Sequence, residues 1–348
     1  MKVLYFGTFD PSYGRNWVLI NGLKKNGIEV VQLRRPPGRL NLVKLFFDYL
    51  LSRVKYDVMI VGFSGQEAMF LARLLTRKPI IFDAFTSHYG GYILNRKKAS
   101  IHSLRAKYYR FLDKWSCKLA DLILLESQAY IDFFVKEYGL SPKKFRRIWI
   151  GANDERFKPI SAEHDADGIF RVIFFGTYVP VQGVEYIVRA AKILEHEPIL
   201  FTFCGKGQDG PKTRTLAEQL ELTNIVFHGM LDGDSLSREL ANSDVSLGNF
   251  GDTPLAPLVI SNKVYEALAM GKAVITADMP ANREFFAEGE AVLVPVANPE
   301  ALAVAISMLK NDPELRERIA RRGYDKFVTV ASPRILGKEL MAIIHELT

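Results

Sequence analysis

Two cysteines in 348 residues, Cys117 and Cys204, exclude a disulfide scaffold and a cysteine-rich zinc module. They lie far apart in the chain and form no CxxC, so a reducing cytoplasm is the simpler setting. No apolar run reaches the roughly 20 residues that a bilayer span requires. The longest, 42–51, is interrupted by Lys44 and Asp48. The opening run 1–7 is too short for a signal peptide, and Asp10 and Pro11 close it, so it reads as a first buried strand. There is no short internal repeat and no low-complexity tract. The six histidines show no close HxxxH pair. His196 and His345 read as helix-surface residues, and His228 as a residue lining a ligand cleft. Two Asp-x-Asp strings, Asp165-Ala166-Asp167 and Asp232-Gly233-Asp234, fall in expected linker or turn and are poor candidates for Mg²⁺ ligands.

Apolar residues make up 48% of the chain and charged residues 24%, enough apolar surface to offset the ordering entropy of a folded protein. At about 150 residues per domain the length implies two domains. The net charge of +7 is unevenly spread. Residues 1–160 hold 28 Lys and Arg against 13 Asp and Glu, a balance of +15, and residues 161–348 hold 18 against 26, a balance of −8. The basic half should be drawn to something anionic: lipid head groups, nucleic acid or a phosphorylated substrate. Solvated helix faces would give the same composition.

Short apolar runs alternate with segments of helical spacing. Strands are expected at 3–6, 30–32, 58–61, 80–82, 122–125 and 147–150, with helices at 17–25, 42–54, 66–75, 104–119 and 128–138. The pattern lapses near 156–170, a polar and acidic stretch that reads as a linker. It then resumes, with strands at 172–175, 199–204, 225–228, 245–247, 273–275 and 291–294 and helices between and after them. This alternation predicts an α/β protein of two doubly wound Rossmann-like domains with parallel sheets. The boundaries read as 1–155, a linker at 156–170, 171–330, and a C-terminal helix at 331–348. Loops at the carboxyl ends of the two sheets can face each other across a cleft, which suits a reaction between two substrates.

The stretch 243–278, SDVSLGNFGDTPLAPLVISNKVYEALAMGKAVITAD, carries the most chemistry. A strand passes through a Gly- and Pro-rich loop into a helix starting near Ser261-Asn262-Lys263, with Ser261 or Asn262 as N-cap. A helix start offers free N–H groups and the positive end of the macrodipole, which suits a phosphate. Lys263 in the first turn opposes the usual preference for acids there, a conflict that an anion would resolve. Glu266 lies three positions on, where it could accept hydrogen bonds from sugar hydroxyls. The same spacing also describes a plain surface Lys–Glu pair. Asp83 ends the strand at 80–82, in FDAFTSHY, at the carboxyl edge where an α/β fold places working residues. It could instead be a helix N-cap.

The run NKVYEALAMGKAVIT resembles the donor-site helix of retaining glycosyltransferases of family 4, which have the two-lobed GT-B fold. FFGTYVPVQGVEYIVRAAKIL, FTFCGKGQDG, NIVFHGML and the tail NPEALAVAISMLKNDPELRERIARRGYDKF resemble successive parts of the family's donor lobe. LYFGTFDPSYGRNWVLINGLKKNGIEVV resembles the opening of its acceptor lobe. The likeness is strong for the donor lobe, moderate over 1–40 and weak from 41 to 120. It implies a metal-independent enzyme with no cofactor other than a nucleotide-diphosphate sugar as co-substrate. The sugar would pass to a glycan or lipid-linked acceptor with retention at the anomeric carbon, and the C-terminal helix is a candidate to return to the first lobe.

The family pairs two glutamates separated by seven residues. Glu266 matches the second, with the implied role of holding the ribose. The first falls on Leu258, which has no carboxylate, leaving the backbone of Leu258, Val259, Ile260, Ser261 and Asn262 to meet the diphosphate or sugar. Gly205-Lys206-Gly207 matches the glycine turn beside the base. After the glycine of the first donor-lobe loop, Gly176, the family has an arginine, and five residues further a lysine. Here those places hold Thr177 and Gln182, both neutral. Loss of two cations facing a diphosphate demands a replacement. Lys263, helped by Arg15 or Lys206, is the expected one. Gly14 matches the loop whose amides approach the phosphates in the first lobe, and Arg15 beside it could reach a phosphate or be a solvated loop charge. Asp83, with Ser87 and His88 nearby, takes the place of a sugar-contacting histidine and is read as a positioning group for sugar or acceptor. The neutral Thr177 and Gln182 keep open a non-catalytic, membrane-recruiting subunit, and the shared plan keeps open a nucleotide-sugar epimerase.

Leu42, Leu45, Phe46, Tyr49, Leu50 and Arg53 form an expected apolar helix face edged by Lys44 and Lys55. Arg105, Lys107, Arg110, Lys114 and Lys118 stud the next long helix among Tyr108, Tyr109, Phe111 and Trp115. Cations with aromatic tips suit an anionic membrane surface, which predicts a cytoplasmic protein peripheral to the membrane. No nucleic-acid module is visible, so no nucleic-acid partner is expected. A core face beneath a solvated face is the plainer reading of the same pattern.

Overall fold

The structure, a computed structural model, describes residues 1–36, 38–161 and 167–348. The middle of the expected linker, with Asp165 and Ala166 of the first Asp-x-Asp string, lies outside the described residues. The chain divides into two compact units, Met1–Ala152 with Ala331–Thr348, and Asn153–Val330.

In the first unit, strands β1 (Lys2–Gly7), β2 (Glu29–Arg34), β3 (Val58–Val61), β4 (Ile80–Asp83), β5 (Leu122–Leu125) and β6 (Phe145–Arg147) form one sheet in the order β2-β1-β3-β4-β5-β6. Every pairing is parallel. β3, β4 and β5 are buried along their whole length, as continuous VMIV, IIFD and LILL runs require when both faces are covered. Helices α1 (Gly14–Lys25), α2 (Arg39–Ser52), α3 (Gln66–Leu75), α4 (Leu104–Leu119) and α5 (Gln128–Tyr138) connect them. α2, α3, α4 and α5 pack side by side in that order. Right-handed crossovers place them together because β3 to β6 are added in one direction.

The second unit holds β7 (Phe170–Thr177), β8 (Ile199–Lys206), β9 (Ile225–His228), β10 (Val245–Leu247), β11 (Ala273–Ala277) and β12 (Val292–Val294), ordered β12-β11-β10-β7-β8-β9, again all parallel. Its helices are α6 (Val184–Ile193), α7 (Gly210–Gln219), α8 (Gly233–Ala241), α9 (Asn262–Ala269), α10 (Pro280–Phe285), α11 (Pro299–Asn311) and α12 (Pro313–Lys326). Phe174, Phe201, Phe203, Ile187, Val188, Ile306 and Leu309 center its core. The expected α/β architecture of two doubly wound parallel sheets is therefore present.

Three local expectations change. The strand expected at 147–150 is β6, which ends at Arg147. The carbonyls of Ile148 and Trp149 accept hydrogen bonds from Arg15 instead of a strand neighbour. α10 and a π-helical turn, Tyr89–Asn95, arise where the sequence shows no clear period. Asp232 is a helix cap: its carboxylate accepts from the Ser235 N–H at the start of α8.

The final helix, α13 (Pro333–His345), packs against α1 and belongs to the first unit, as expected of a returning C-terminal helix. The two backbones meet at glycines. A Cβ on Gly337 would lie 2.0 Å from the Gly22 carbonyl oxygen, and one on Gly22 would lie 2.4 Å from that of Pro333. The side chain of Asn26 ties the pair by donating to the carbonyls of Gly22 and Arg334 at 2.8 Å. Gly337→Ala should overpack this crossing and lower unfolding free energy by about 1–3 kcal/mol, measured by chemical denaturation. Unchanged stability would show that the helices separate at no cost.

Candidate functional site

In the second sheet β7 is flanked by β8 on one side and β10 on the other, so connections leave this point in opposite directions. The carboxyl ends of β7 and β10 are the switch point, where an open α/β sheet leaves a crevice for a ligand. β7 ends at Gly176-Thr177, followed by the 3₁₀ turn Pro180–Gln182 and α6. β10 runs into the loop holding Asn249, then the 3₁₀ turn Ala256–Leu258, then α9.

Lys263 reaches this point from the first turn of α9 and is only 4% exposed. Its ammonium donates to Gln182 Oε1 at 2.5 Å and sits 3.6 Å from the center of the Phe174 ring. A Cβ on Gly176 would come within 3.3 Å of its Cε. The cation thus lies against the two places, Gly176–Thr177 and Gln182, where the resembled family has its arginine and lysine. The Gln182 amide donates to Ser261 Oγ at 3.4 Å, and Ser261 Oγ donates to Asn249 Oδ1 at 3.2 Å. Ser261 occupies the N-cap position but its hydroxyl does not cap, and Asn262 is the first helical residue. Helix N–H groups in the first turn have no partner within the helix. Burial drives the Lys263 ammonium well below the usual lysine range, opposed by the charge of Glu266. Burial pushes the Glu266 carboxyl up to about 7, against the pull of Lys263 and Arg156. Burial disfavours the charged form of Lys263, and a nearby anion would favour it.

The remaining donor-side candidates fall around and beyond this cluster. Thr177 and Lys206 are exposed at the ends of β7 and β8. Gly205 is explained by packing: with φ +146°, its Cβ would lie 1.9 Å from the Gly176 carbonyl oxygen, and a Cβ on Gly207 would lie 2.3 Å from that of Tyr178. Leu258 and Val259 are half-buried, and Ile260 is buried. His228 faces elsewhere. It lines a pocket of about 240 Å³ with Thr202, Val226 and Glu239, whose lining includes none of the Lys263 cluster. Strand alternation sets it on the Val226 face of β9. Asn249 and Arg156 were missed in the sequence. An asparagine amid the glycines of GNFGD and a lone arginine entering the second unit were the available signals.

In the first unit the structure corrects one catalytic assignment, Asp83, and one donor-binding assignment, Arg15. Arg15 and Asp83 are both fully buried and paired with each other. Arg15 Nε donates to both Asp83 oxygens at 3.1 Å and Nη2 to Oδ1 at 2.9 Å, while Nη1 donates to the carbonyls of Ile148 and Trp149 at 3.0 and 2.7 Å. The guanidinium is spent on internal partners and presents nothing to a phosphate. Burial raises the Asp83 carboxyl above its usual range, with Arg15 pulling it back. Asp83 is therefore neither a cap nor a sugar-positioning group but the counter-ion that ties β4 to α1 and to the chain after β6. Gly14 opens α1 beside this pair. Ser87 is also internal: its hydroxyl donates to Asp113 at 2.7 Å, and Tyr138 donates to the same oxygen at 2.9 Å. Asp113 further accepts the N–H groups of His88 and Tyr89 at 3.0 and 2.9 Å, anchoring the start of the π-helical turn. His88 packs edge-on against Tyr92 and Tyr109, and burial lowers its pKa. Among the described residues no group of three His, Cys, Asp or Glu is arranged to hold a metal.

The fold is that of a two-domain α/β protein of the GT-B type. Solved structures align with nearly the whole chain: sucrose-phosphate synthase from Thermosynechococcus elongatus, with TM-score 0.75 at 16% identity over 99% of this chain and 98% of that one, and Anabaena Alr3699/HepE in complex with UDP-glucose, with TM-score 0.74 at 16% identity over all of both chains. Residues 158–326 match the family described as "Glycosyl transferases group 1". The alpha-D-kanosaminyltransferase of Streptomyces kanamyceticus is 23% identical over 87% of this chain and 74% of its own length. The putative colanic acid biosynthesis glycosyl transferase WcaI of Escherichia coli is 29% identical over 44% of this chain and 40% of its own.

The two buried cations should respond oppositely to removal. Asp83→Ala strands Arg15 without a counter-ion and should cost about 3–5 kcal/mol of stability. Lys263→Met removes a costly desolvated ammonium and should leave stability unchanged or higher in the ligand-free protein. Because the folded-state pKa of Lys263 is depressed from 10.5, its penalty is relieved as pH rises toward that value, so the advantage of Lys263→Met should shrink in the same direction. Denaturant titrations at several pH values measure both. A destabilised Lys263→Met would mean that Lys263 is structural.

Proposed function

We propose that this chain is a retaining glycosyltransferase that takes a nucleotide-diphosphate sugar at the switch point of its second unit and passes the sugar to a glycan or lipid-linked acceptor held by the first. The observation that carries this reading is the Lys263 ammonium, buried against Gly176 and Gln182 within the segment that matches the group 1 family. A diphosphate arriving there would offset the desolvation of Lys263 and favour its charged form. The first-turn N–H groups of α9 and the positive end of its dipole act on the same anion. Glu266, one turn along, is placed to accept hydrogen bonds from ribose hydroxyls once it is ionised. The bound UDP and UDP-glucose of the Anabaena HepE structures support a nucleotide sugar as ligand.

The leaving diphosphate gains negative charge as the bond from its oxygen to the anomeric carbon breaks. A fixed cation in a desolvated setting stabilises that charge more than it stabilises the intact donor, which is what lowers a barrier. The acceptor hydroxyl then bonds to the anomeric carbon and its proton passes to the departing phosphate oxygen. This step uses no protein base and no metal, in keeping with the withdrawal of Asp83 from the reaction.

Calorimetric titration with a nucleoside diphosphate tests the assignment. Binding should weaken as pH rises through the lowered range of Lys263, because the diphosphate favours its charged form. Lys263→Met should lose about tenfold to a hundredfold in affinity together with that alkaline dependence. Wild-type affinity in Lys263→Met would discard the reading. Retention is checked by following the anomeric proton coupling of the product during transfer from an α-linked donor. An inverted product would remove that part of the proposal alone.

A further inference from the structure

α2 is apolar on more than one side. Leu45 is fully buried, and Leu42, Phe46 and Tyr49 are half-buried, so these four lie on the inward face expected from spacing, whereas Leu50 and Arg53, expected with them, are exposed. Leu40, Val43, Phe47, Leu50 and Leu51 are exposed on the opposite side, Leu40 and Leu51 at 80% each. They recur at the helical interval, so they make a stripe and not a scatter. α4 repeats the arrangement: Ala106, Leu112, Ser116 and Cys117 are buried, while Leu104 (83%), Tyr108, Phe111 and Trp115 are exposed along one line. α3 lies between these helices, joined to α4 by the stacked rings of Phe70 and Phe111, 6.1 Å apart, and adds Leu74, 77% exposed. Three adjacent helices thus show water a row of large apolar side chains, more than isolated surface residues account for.

The charge around this row is mainly basic; of the acids beside it, Glu67 of α3 accepts a hydrogen bond from Tyr108, and Glu137 of α5 pairs with Arg110. On α4, Arg105, Lys107, Arg110 and Lys118 are exposed beside the aromatic line, and Lys114 is half-buried between them. The one acid of that helix, Asp113, is buried in the Ser87 network. On α2, Lys44 stands at the edge of the stripe, and the one acid, Asp48, is paired with Arg35. Lys118 lies 4.7 Å from the center of the Trp115 ring, leaving an apolar plate with a cation on its rim. Cationic rims around apolar and aromatic centers match the interface of an anionic bilayer, where ring and chain enter the headgroup boundary and ammonium groups meet phosphate.

We propose that the α2–α4 face of the first unit docks on an anionic lipid bilayer, with Leu40, Phe47 and Leu51 of α2 and Leu104, Phe111 and Trp115 of α4 entering the interface. The protein lies on the surface and does not span it: among the described residues no helix is long and apolar enough to cross. The inference stands on the first unit and does not depend on the donor site of the second.

Flotation with vesicles tests it. Vesicles of phosphatidylcholine containing phosphatidylglycerol should carry the full chain at low salt, and those of phosphatidylcholine alone should carry little. Raising salt should weaken binding about tenfold or more. Phe111→Ser with Trp115→Ser, and separately Lys107→Glu with Lys118→Glu, should each reduce binding by about tenfold or more. All four residues are exposed or nearly so, and unchanged thermal midpoints will show that the variants fold. Bromine-labelled lipid should quench tryptophan emission in the wild type, and this quenching should largely vanish in Trp115→Phe. Absence of flotation at low salt overturns the proposal. So does equal flotation of the variants. A wild-type chain that is dimeric in solution and becomes monomeric in Phe111→Ser with Trp115→Ser also overturns it, assigning the stripe to a second copy.

Discussion

A lysine that is 4% exposed with no carboxylate in its hydrogen bond is the constraint on which the second unit turns. Burying an ammonium costs free energy unless a charge or a full set of acceptors replaces water. Lys263 has one acceptor, the Gln182 amide oxygen, and the face of Phe174. Both moderate the penalty, and neither removes it, as its lowered pKa shows. The neutral Gln182 is therefore not a vacancy in an anion site. It holds Lys263 in line, and the Ser261–Asn249 relay holds Gln182 in turn. The charge of Lys263 sits on a helix, where packing fixes its position.

Arg15 shows the other way in which a buried cation can exist. It is more deeply enclosed than Lys263, yet its fork is matched bidentately by Asp83 and completed by two carbonyls. A satisfied guanidinium has nothing left to offer a substrate, and its worth is architectural: it joins the start of α1, the end of β4 and the chain beyond β6. Residue type and position at a strand end are the same for a structural and a working charge. Hydrogen-bond completeness separates them, and that is a property of the folded chain.

The βα rhythm was legible because buried parallel strands are short apolar runs, and LILL or VMIV admits little else. The helix start at Asn262 and the Lys263–Glu266 pair were also legible, since a loop feeding a helix is a local pattern. Asp83 and Arg15 were misread for a shared reason: residues 68 positions apart were judged one at a time. Their meeting depends on β1 and β4 being separated by one strand in the sheet, which no local period encodes. For His228 the strand was legible, but which face of β9 a residue occupies relative to α8 is a matter of sheet packing.

The reading of α2 fell between these cases, and the reason bears on how apolar periodicity should be used. Leu42, Leu45, Phe46 and Tyr49 satisfy a helical period, so the pattern was complete once one face was named. RLNLVKLFFDYLLS has enough apolar residues to satisfy a second face as well, and only exposure shows that both exist. A helix packed on a sheet needs one apolar stripe, and a second stripe toward water lowers solubility without aiding the core. In a chain whose first 160 residues carry a balance of +15, charge alone would keep that face wet. Leu40, Phe47 and Leu51 nonetheless face outward, and α4 continues the same surface in aromatic residues, an exposure that packing within the first unit does not require.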